Sequence, residues 1–151
     1  MIDVLAQYGY LGLFLTSFLA ATILPLGSEV LLSLLLLNGY DPFLTIGLAT
    51  FGNVLGSLIN YALGLWGGRW FAEKLLRLSP EKIAGAENRF KRYGVLSLLF
   101  VWVPIIGDPL TVVAGALRTN ICVFLGLVTT GKLLRYILVG LSAVSLFDLF
   151  Y

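Results

Sequence analysis

Four ionisable side chains, Glu29, Asp108, Lys132 and Arg135, interrupt runs that are otherwise apolar. On insertion scales a charge at the centre of a membrane helix costs about 2.5–3.5 kcal/mol. Left unpaired, the set would cost on the order of 10 kcal/mol, comparable to the net stability of a whole domain. The four must therefore pair, meet water or be neutralised. Two are acids, and a carboxylate at membrane depth can bind and release a proton as its surroundings change. Two are bases, three residues apart, so on a helix they share a face. Together Lys132 and Arg135 can hold a phosphate, the arginine through its planar fork and the lysine as a point charge. This chemistry suits a proton-coupled carrier of an anionic or zwitterionic lipid headgroup. Two plainer roles use the same residues: ion pairs that lock parts of the fold together, and basic chains that snorkel to a membrane face. Asn53, Ser57 and Asn60 form a polar stripe on another apolar block and are candidates to line the same cavity.

The elements that must carry these groups are four apolar blocks, at about 4–37, 43–68, 94–117 and 121–147. A bilayer core takes about 20 helical residues per crossing. The second and fourth blocks each fit one crossing. The first is too long for one helix and short for two, and Pro25 and Gly27 interrupt it. The third breaks in the same way at Pro104, Gly107 and Pro109. Proline removes a backbone donor and disfavours helix just before it. Two interrupted apolar segments predict re-entrant hairpins, since irregular backbone at membrane depth must be buried in protein or line a cavity.

A constant displacement of 79 residues relates the two halves. Pro25 falls on Pro104, Glu29 on Asp108, and "GLATFGNVL" (47–55) on "GLVTTGKLL" (126–134). We read this as an internal repeat, with one half at about 10–66 and the other at about 94–147. One crossing per half leaves the second half upside down, an inverted repeat with its site between the halves.

Composition bounds the rest. Of 151 residues, 59% are hydrophobic and 12% charged, and mean hydropathy is +0.97. This describes one integral membrane domain, 1–151, with no room for a separate soluble one. Cys122 is the only cysteine and there is no histidine. An internal disulfide, a cysteine zinc cluster and a Ser-His catalytic pair are excluded, and no metal or cofactor is expected. An acidic start and a long apolar stretch argue against a signal peptide.

Residues 69–93 form the polar linker, with Arg69, Lys74, Arg77, Lys82, Arg89, Lys91 and Arg92. The positive-inside rule puts it in the cytoplasm. Arg118 joins it there, and Asp3, Asp41 and Asp148 go to the other side. A layout with six full crossings gives the linker the same side. The linker is predicted to hold two short helices, the first amphipathic around Trp70 and Phe71. The second has Ser79 as N-cap and Pro80 at its first position. Gly52 and Gly56 make a small-xxx-small packing face. The basic residues follow membrane topology, so nucleic-acid binding has no support.

"LPLGSEV", "GNVLGSLINYALG", "RFKRYG", "WVPIIGDPLTVVAGALR" and "GKLLRY" together resemble the DedA family, also called VTT-domain or SNARE-associated Golgi proteins. The likeness is nearest to its short YqaA-like bacterial branch and runs from about residue 10 to 140. The resemblance implies two facing re-entrant hairpins, an amphipathic linker and a bacterial inner-membrane location. It also implies transport of a phospholipid or a polyprenyl phosphate, with protons involved. Glu29 matches the family's acid after the first hairpin proline. Arginines that flank the second hairpin proline in larger members are absent here, where Val101, Trp102 and Gly107 stand.

The expectation is therefore an all-α integral membrane protein: an inverted repeat of re-entrant hairpin plus transmembrane helix. Its expected activity is proton-linked flipping or scrambling of a phospholipid or lipid-linked phosphate. Glu29 and Asp108 would be its transport and proton site, with Lys132 and Arg135 binding the headgroup. An ion or small-solute/proton antiporter and a non-transporting assembly factor are the alternatives. No nucleophile–base pair supports an enzyme. With two crossings, a second copy of the chain is a candidate partner.

Overall fold

The computed structural model describes residues 2–22, 27–74, 77–103 and 106–150. Pro25 and Pro104 lie outside the described residues. Among them six α-helices follow one another: α1 (Ile2–Ala20), α2 (Gly27–Leu37), α3 (Pro42–Lys74), α4 (Pro80–Tyr93), α5 (Gly107–Ala116) and α6 (Ile121–Phe150). A 3-10 segment, Gly94–Trp102, joins α4 to the approach of α5. No strand occurs among the described residues.

Local chemistry starts and stops these helices. Asp41 Oδ1 accepts from Leu44 N at 2.8 Å, and Pro42, at the head of α3, needs no partner for the N–H it lacks. Asn120 Oδ1 does the same for α6, accepting from Cys122 N at 2.9 Å. Ser79 caps α4 as its spacing predicts, accepting from Lys82 N at 3.4 Å, with Pro80 first in the helix.

The turns after α2 and α5 are built alike. Asn38, Gly39 and Tyr40 donate to the carbonyls of Leu34, Leu36 and Leu35 at 3.1 Å each. Seventy-nine residues on, Leu117, Arg118 and Thr119 donate to Val113, Gly115 and Ala114 at 2.9, 2.9 and 3.0 Å. The same residue of each turn is left-handed, Gly39 at φ 81° and Arg118 at φ 54°. Glycine takes that conformation freely, whereas Arg118 adopts it at a steric cost.

Among the described residues, two helices are long and apolar enough to cross a bilayer, Pro42–Gly68 and Ile121–Leu149. At Gly68 the backbone turns to φ 55°, ψ −142°, and a further helical piece runs to Lys74. The linker thus holds two helical pieces, as expected, but the first is continuous with α3 through this kink. α3 is the spine. Gly52 and Gly56 lie so close to the carbonyls of Phe14 and Phe18 that no side chain would fit. Farther along, Gly64 faces Val112 O and Gly115 of α5 faces Tyr61 O with equal closeness. Small residues let the backbones approach where lipid offers no hydrophobic drive for helix association.

The faces that the long helices turn outward carry large apolar side chains. Phe43 is 91%, Trp66 81% and Leu149 79% exposed. Large exposed apolar faces mark an interaction surface, here fitting lipid. Several polar groups of these helices are turned inward: Asn53, Ser57, Asn60, Thr111 and Lys132 are all buried.

Candidate functional site

Glu29 stands in the first turn of α2 and Asp108 in the first turn of α5. Both carboxylates therefore meet the positive end of a short helix. The bases come from α6, where Lys132 and Arg135 are separated by about 4.5 Å of helix rise. The structure brings all four together in two pairs. Arg135 Nη2 donates to Glu29 Oε1. Lys132 Nζ lies 3.4 Å from Asp108 Oδ1. Each short helix thus delivers its acid to a different base on the same long helix.

The pairs differ in their access to solvent. Lys132 is 1% exposed while its partner Asp108 is 28% exposed. Arg135 and Glu29 are 13% and 16% exposed. Neither base snorkels: Lys132 is fully enclosed, and Arg135 turns its guanidinium to Glu29. Glu29 Oε2 has no hydrogen-bond partner among the described residues, nor do Asn60 Oδ1 and Ser17 Oγ. A buried carboxylate oxygen without a donor is costly and marks a position that a proton, a water or a ligand would satisfy.

Asn53 joins the pairs to the rest of the core. Its Oδ1 accepts from Lys132 Nζ, and its Nδ2 donates to Tyr136 Oη at 2.8 Å. Tyr136 Oη lies 3.0 Å from Ser28 Oγ. A charged lysine has donors only, so the oxygen of Asn53 must face it and the amide nitrogen must face Tyr136. The phenol then accepts from Asn53 and has its own proton free for Ser28. This chain runs from α5 through α6 and α3 to α2 without a break.

Asn60 makes a second link. Its Nδ2 donates to Ala21 O at 2.8 Å and lies 3.2 Å from Thr111 Oγ1. Thr111 in turn donates to the carbonyl of Asp108 at 2.6 Å. Ser57 is spent on its own helix, donating to Asn53 O at 3.1 Å. Of the polar stripe, Asn53 and Asn60 reach other elements and Ser57 does not.

The break residues shape the tips. A side chain on Gly107 would collide with Val101 O, so glycine lets the 3-10 segment and the start of α5 touch. Pro109 is buried in the first turn of α5, where helical N–H groups lack partners anyway. Gly27 opens α2, and a Cβ there would sit 3.3 Å from Thr16 Cγ2. Among the described residues no three His, Cys, Asp or Glu side chains converge where a metal ion could sit.

Sequence reasoning did not single out Tyr136, Ser28 or Thr111. Tyr136 is four residues past Lys132 and Thr111 three past Asp108, so helical spacing alone puts each beside a charge. That spacing was the available signal.

The VTT domain model matches residues 24–144. The chain is 40% identical over 135 residues to "Inner membrane protein YqaA" of Escherichia coli (strain K12), covering 89% of this chain and 90% of that one. An "Alkaline phosphatase-like protein" of Lactococcus lactis subsp. cremoris is 34% identical, over 95% of this chain and 73% of its own. The "Uncharacterized membrane protein YbfM" of Bacillus subtilis (strain 168) is 33% identical over 64% of each. No solved structure matches. The family match spans α2 through α5, most of α6 and all four charges, and the chain is a membrane protein of the VTT-domain, or DedA, family.

Proposed function

We propose that the protein moves a lipid bearing a phosphate group, a phospholipid or a polyprenyl phosphate, between leaflets of the bacterial inner membrane, linked to protons. The observation that carries this reading is the Arg135–Glu29 pair. Arg135 is the group best shaped to hold a phosphate, and Glu29 occupies it. A proton on Glu29 removes the competing charge and leaves the guanidinium open for an anion. Loss of that proton restores the internal pair and expels the anion. The same exchange applies at Lys132 and Asp108, where the partly exposed acid is the accessible member. Proton and phosphate therefore enter together and leave together.

The inverted-repeat architecture belongs to this proposal. At about 1.5 Å per residue, α2 with 11 residues and α5 with 10 span roughly 15–17 Å, about half of the ~30 Å hydrocarbon core. That length supports short return arms rather than full crossings for α2 and α5, whereas α1, with 19 residues, reaches about 28 Å. The matched turn hydrogen bonds, 79 residues apart, support two equivalent halves. Asn53 and Lys132 are equivalents under that displacement and touch each other, as residues on a two-fold axis must. The name of the Escherichia coli relative supports the inner membrane, and the basic linker supports a cytoplasmic position for residues 69–93.

The test is leaflet exchange of labelled phosphatidylglycerol and of labelled polyprenyl phosphate in proteoliposomes. Wild type should accelerate exchange of at least one, and Glu29→Gln and Asp108→Asn should lose it. Proton flux driven by a cation without lipid movement would favour an antiporter. No exchange of either lipid, with variants altered in stability alone, would favour an assembly factor.

A further inference from the structure

Between the two ion pairs runs a polar chain whose direction is fixed from one end. Lys132 has donors only, so Asn53 turns its oxygen to Lys132 and its Nδ2 to Tyr136 Oη, 2.8 Å away. Tyr136 then donates its own proton to Ser28 Oγ at 3.0 Å. Ser28 precedes Glu29 in the first turn of α2. Ser28 and Tyr136 are 0% exposed, Lys132 1% and Asn53 2%, so solvent does not replace a lost bond. The direction of each bond thus follows from the charge on Lys132, and the last bond holds the turn that carries Glu29. α3 offers no duplicate of this chain. Under the 79-residue displacement Tyr136 falls on Ser57, which donates to Asn53 O within its own helix. Arg135 falls on Gly56, which is pressed against Phe18 O. Both acids therefore depend on α6, where Lys132 and Tyr136 lie one turn apart on one face.

We propose that Tyr136 is a positioning residue that makes the two ion pairs open as one unit, so that Glu29 and Asp108 take up protons together. This deepens the proton-linked reading above and rests on it. When Lys132 leaves Asn53, nothing fixes the amide, the phenol is free to turn to Asn53 Oδ1, and Ser28 loses its donor. The first turn of α2 is then loosened and Glu29 parts from Arg135. With two states, both pairs closed or both open, a proton on either acid favours the open state and so favours the second proton. Repulsion between two acids acting through space does the opposite, since the first proton weakens binding of the second. The ionisable groups facing the chain are Glu29 from α2, Asp108 from α5, and Lys132, Arg135 and Tyr136 from α6. Those of α1, Asp3, Tyr8 and Tyr10, belong to the half of that helix beside Tyr40 and Asp41, at the other end of α2. Tyr61 of α3 is spent on Thr119 O, and the 3-10 segment has no ionisable residue. On α4, Glu81, Lys82 and Arg89 line a cavity with Pro109, next to Asp108.

Infrared titration of the full chain in lipid nanodiscs, with its glutamates labelled by carbon-13, tests this role. The protonated carboxyl band of Glu29 is identified by its loss in Glu29→Gln. In wild type that band should rise with acid more steeply than a single group, with a Hill coefficient approaching about 2, the number of coupled sites. Tyr136→Phe changes no charge and should lower the coefficient to about 1 or less. Ser28→Ala cuts the chain at its other end, should do the same, and serves if Tyr136→Phe does not fold. Asp108→Asn removes the second acid and should also give about 1. Ser57→Ala, whose bond stays in its own helix, should keep the steep titration. A coefficient of about 1 or less in wild type, or a steep titration retained in Tyr136→Phe or Ser28→Ala, would overturn the role of Tyr136. A steep titration in a protein that moves no lipid would defeat the transport reading and leave that role standing. Lipid exchange with a shallow wild-type titration would do the reverse.

Discussion

Replacing Arg135 with methionine isolates the energetics on which the mechanism depends. Glu29 Oε1 is held by Arg135, and Oε2 already lacks a partner. The substitution leaves a carboxylate that is 16% exposed with no hydrogen bond to either oxygen. Breaking a buried pair from one side costs about 3–5 kcal/mol, or roughly a hundredfold or more in the folded fraction. Removing Glu29 instead, as Glu29→Leu, should cost less, because a freed arginine can carry its charge along a flexible stem toward the interface. The double variant Glu29→Leu/Arg135→Met removes both charges and should fall within about 1 kcal/mol of wild type, since apolar replacement of a buried pair is often neutral. Equilibrium unfolding in mixed micelles measures all four corners of the cycle. A cost below about 1 kcal/mol for Arg135→Met, or a double variant equal to the sum of the singles, would refute the reasoning. Either result would mean that the two groups do not depend on each other, and protonation of one could not release the other.

Further expectations follow from the same geometry and the same unfolding assay. Tyr136→Phe strands Asn53 Nδ2 and Ser28 Oγ and should destabilise by about 1–3 kcal/mol, whereas Ser57→Ala, whose bond stays within its own helix, should cost less than about 1. Gly64→Ala and Gly115→Ala drive a methyl into a facing carbonyl and should cost at least about 1–3 kcal/mol, while Gly47→Ala and Gly126→Ala, which face open space, should stay within about 0.5. Asp41→Ala and Asn120→Ala should each cost about 1 kcal/mol, because each side chain caps the start of a long helix in the same way.

What could be read from the residues divides along physical lines. Charges inside apolar runs are conspicuous because hydrocarbon penalises them, so Glu29, Asp108, Lys132 and Arg135 were visible before any coordinates. Their partners were not. Lys132 and Arg135 lie on one face, and spacing alone lets either meet either acid. The assignment depends on which short helix arrives at which level of α6. Tyr136 was hidden because tyrosine is at home in an apolar helix and gives no signal of a buried hydroxyl. The two long apolar helices at 42–68 and 121–149 were legible from length and hydropathy, as the four residue blocks anticipated. The 3-10 geometry of Gly94–Trp102 was not, since an apolar run of that length reads equally as ordinary helix. The displacement of 79 residues was visible in uncommon residues such as proline and acid. Its strongest support is a pair of turns whose backbone hydrogen bonds no residue pattern spells out.

One measurement bears most directly on the coupled exchange of proton and phosphate. Labelled phosphate lipid and a pH-sensitive dye can be followed together in the same proteoliposomes under an imposed pH gradient. The account predicts that the gradient accelerates lipid exchange in wild type and that protons move with the lipid. Both signals should vanish together in Glu29→Gln. Lipid exchange indifferent to the gradient, or proton movement that persists without phosphate lipid, would contradict it.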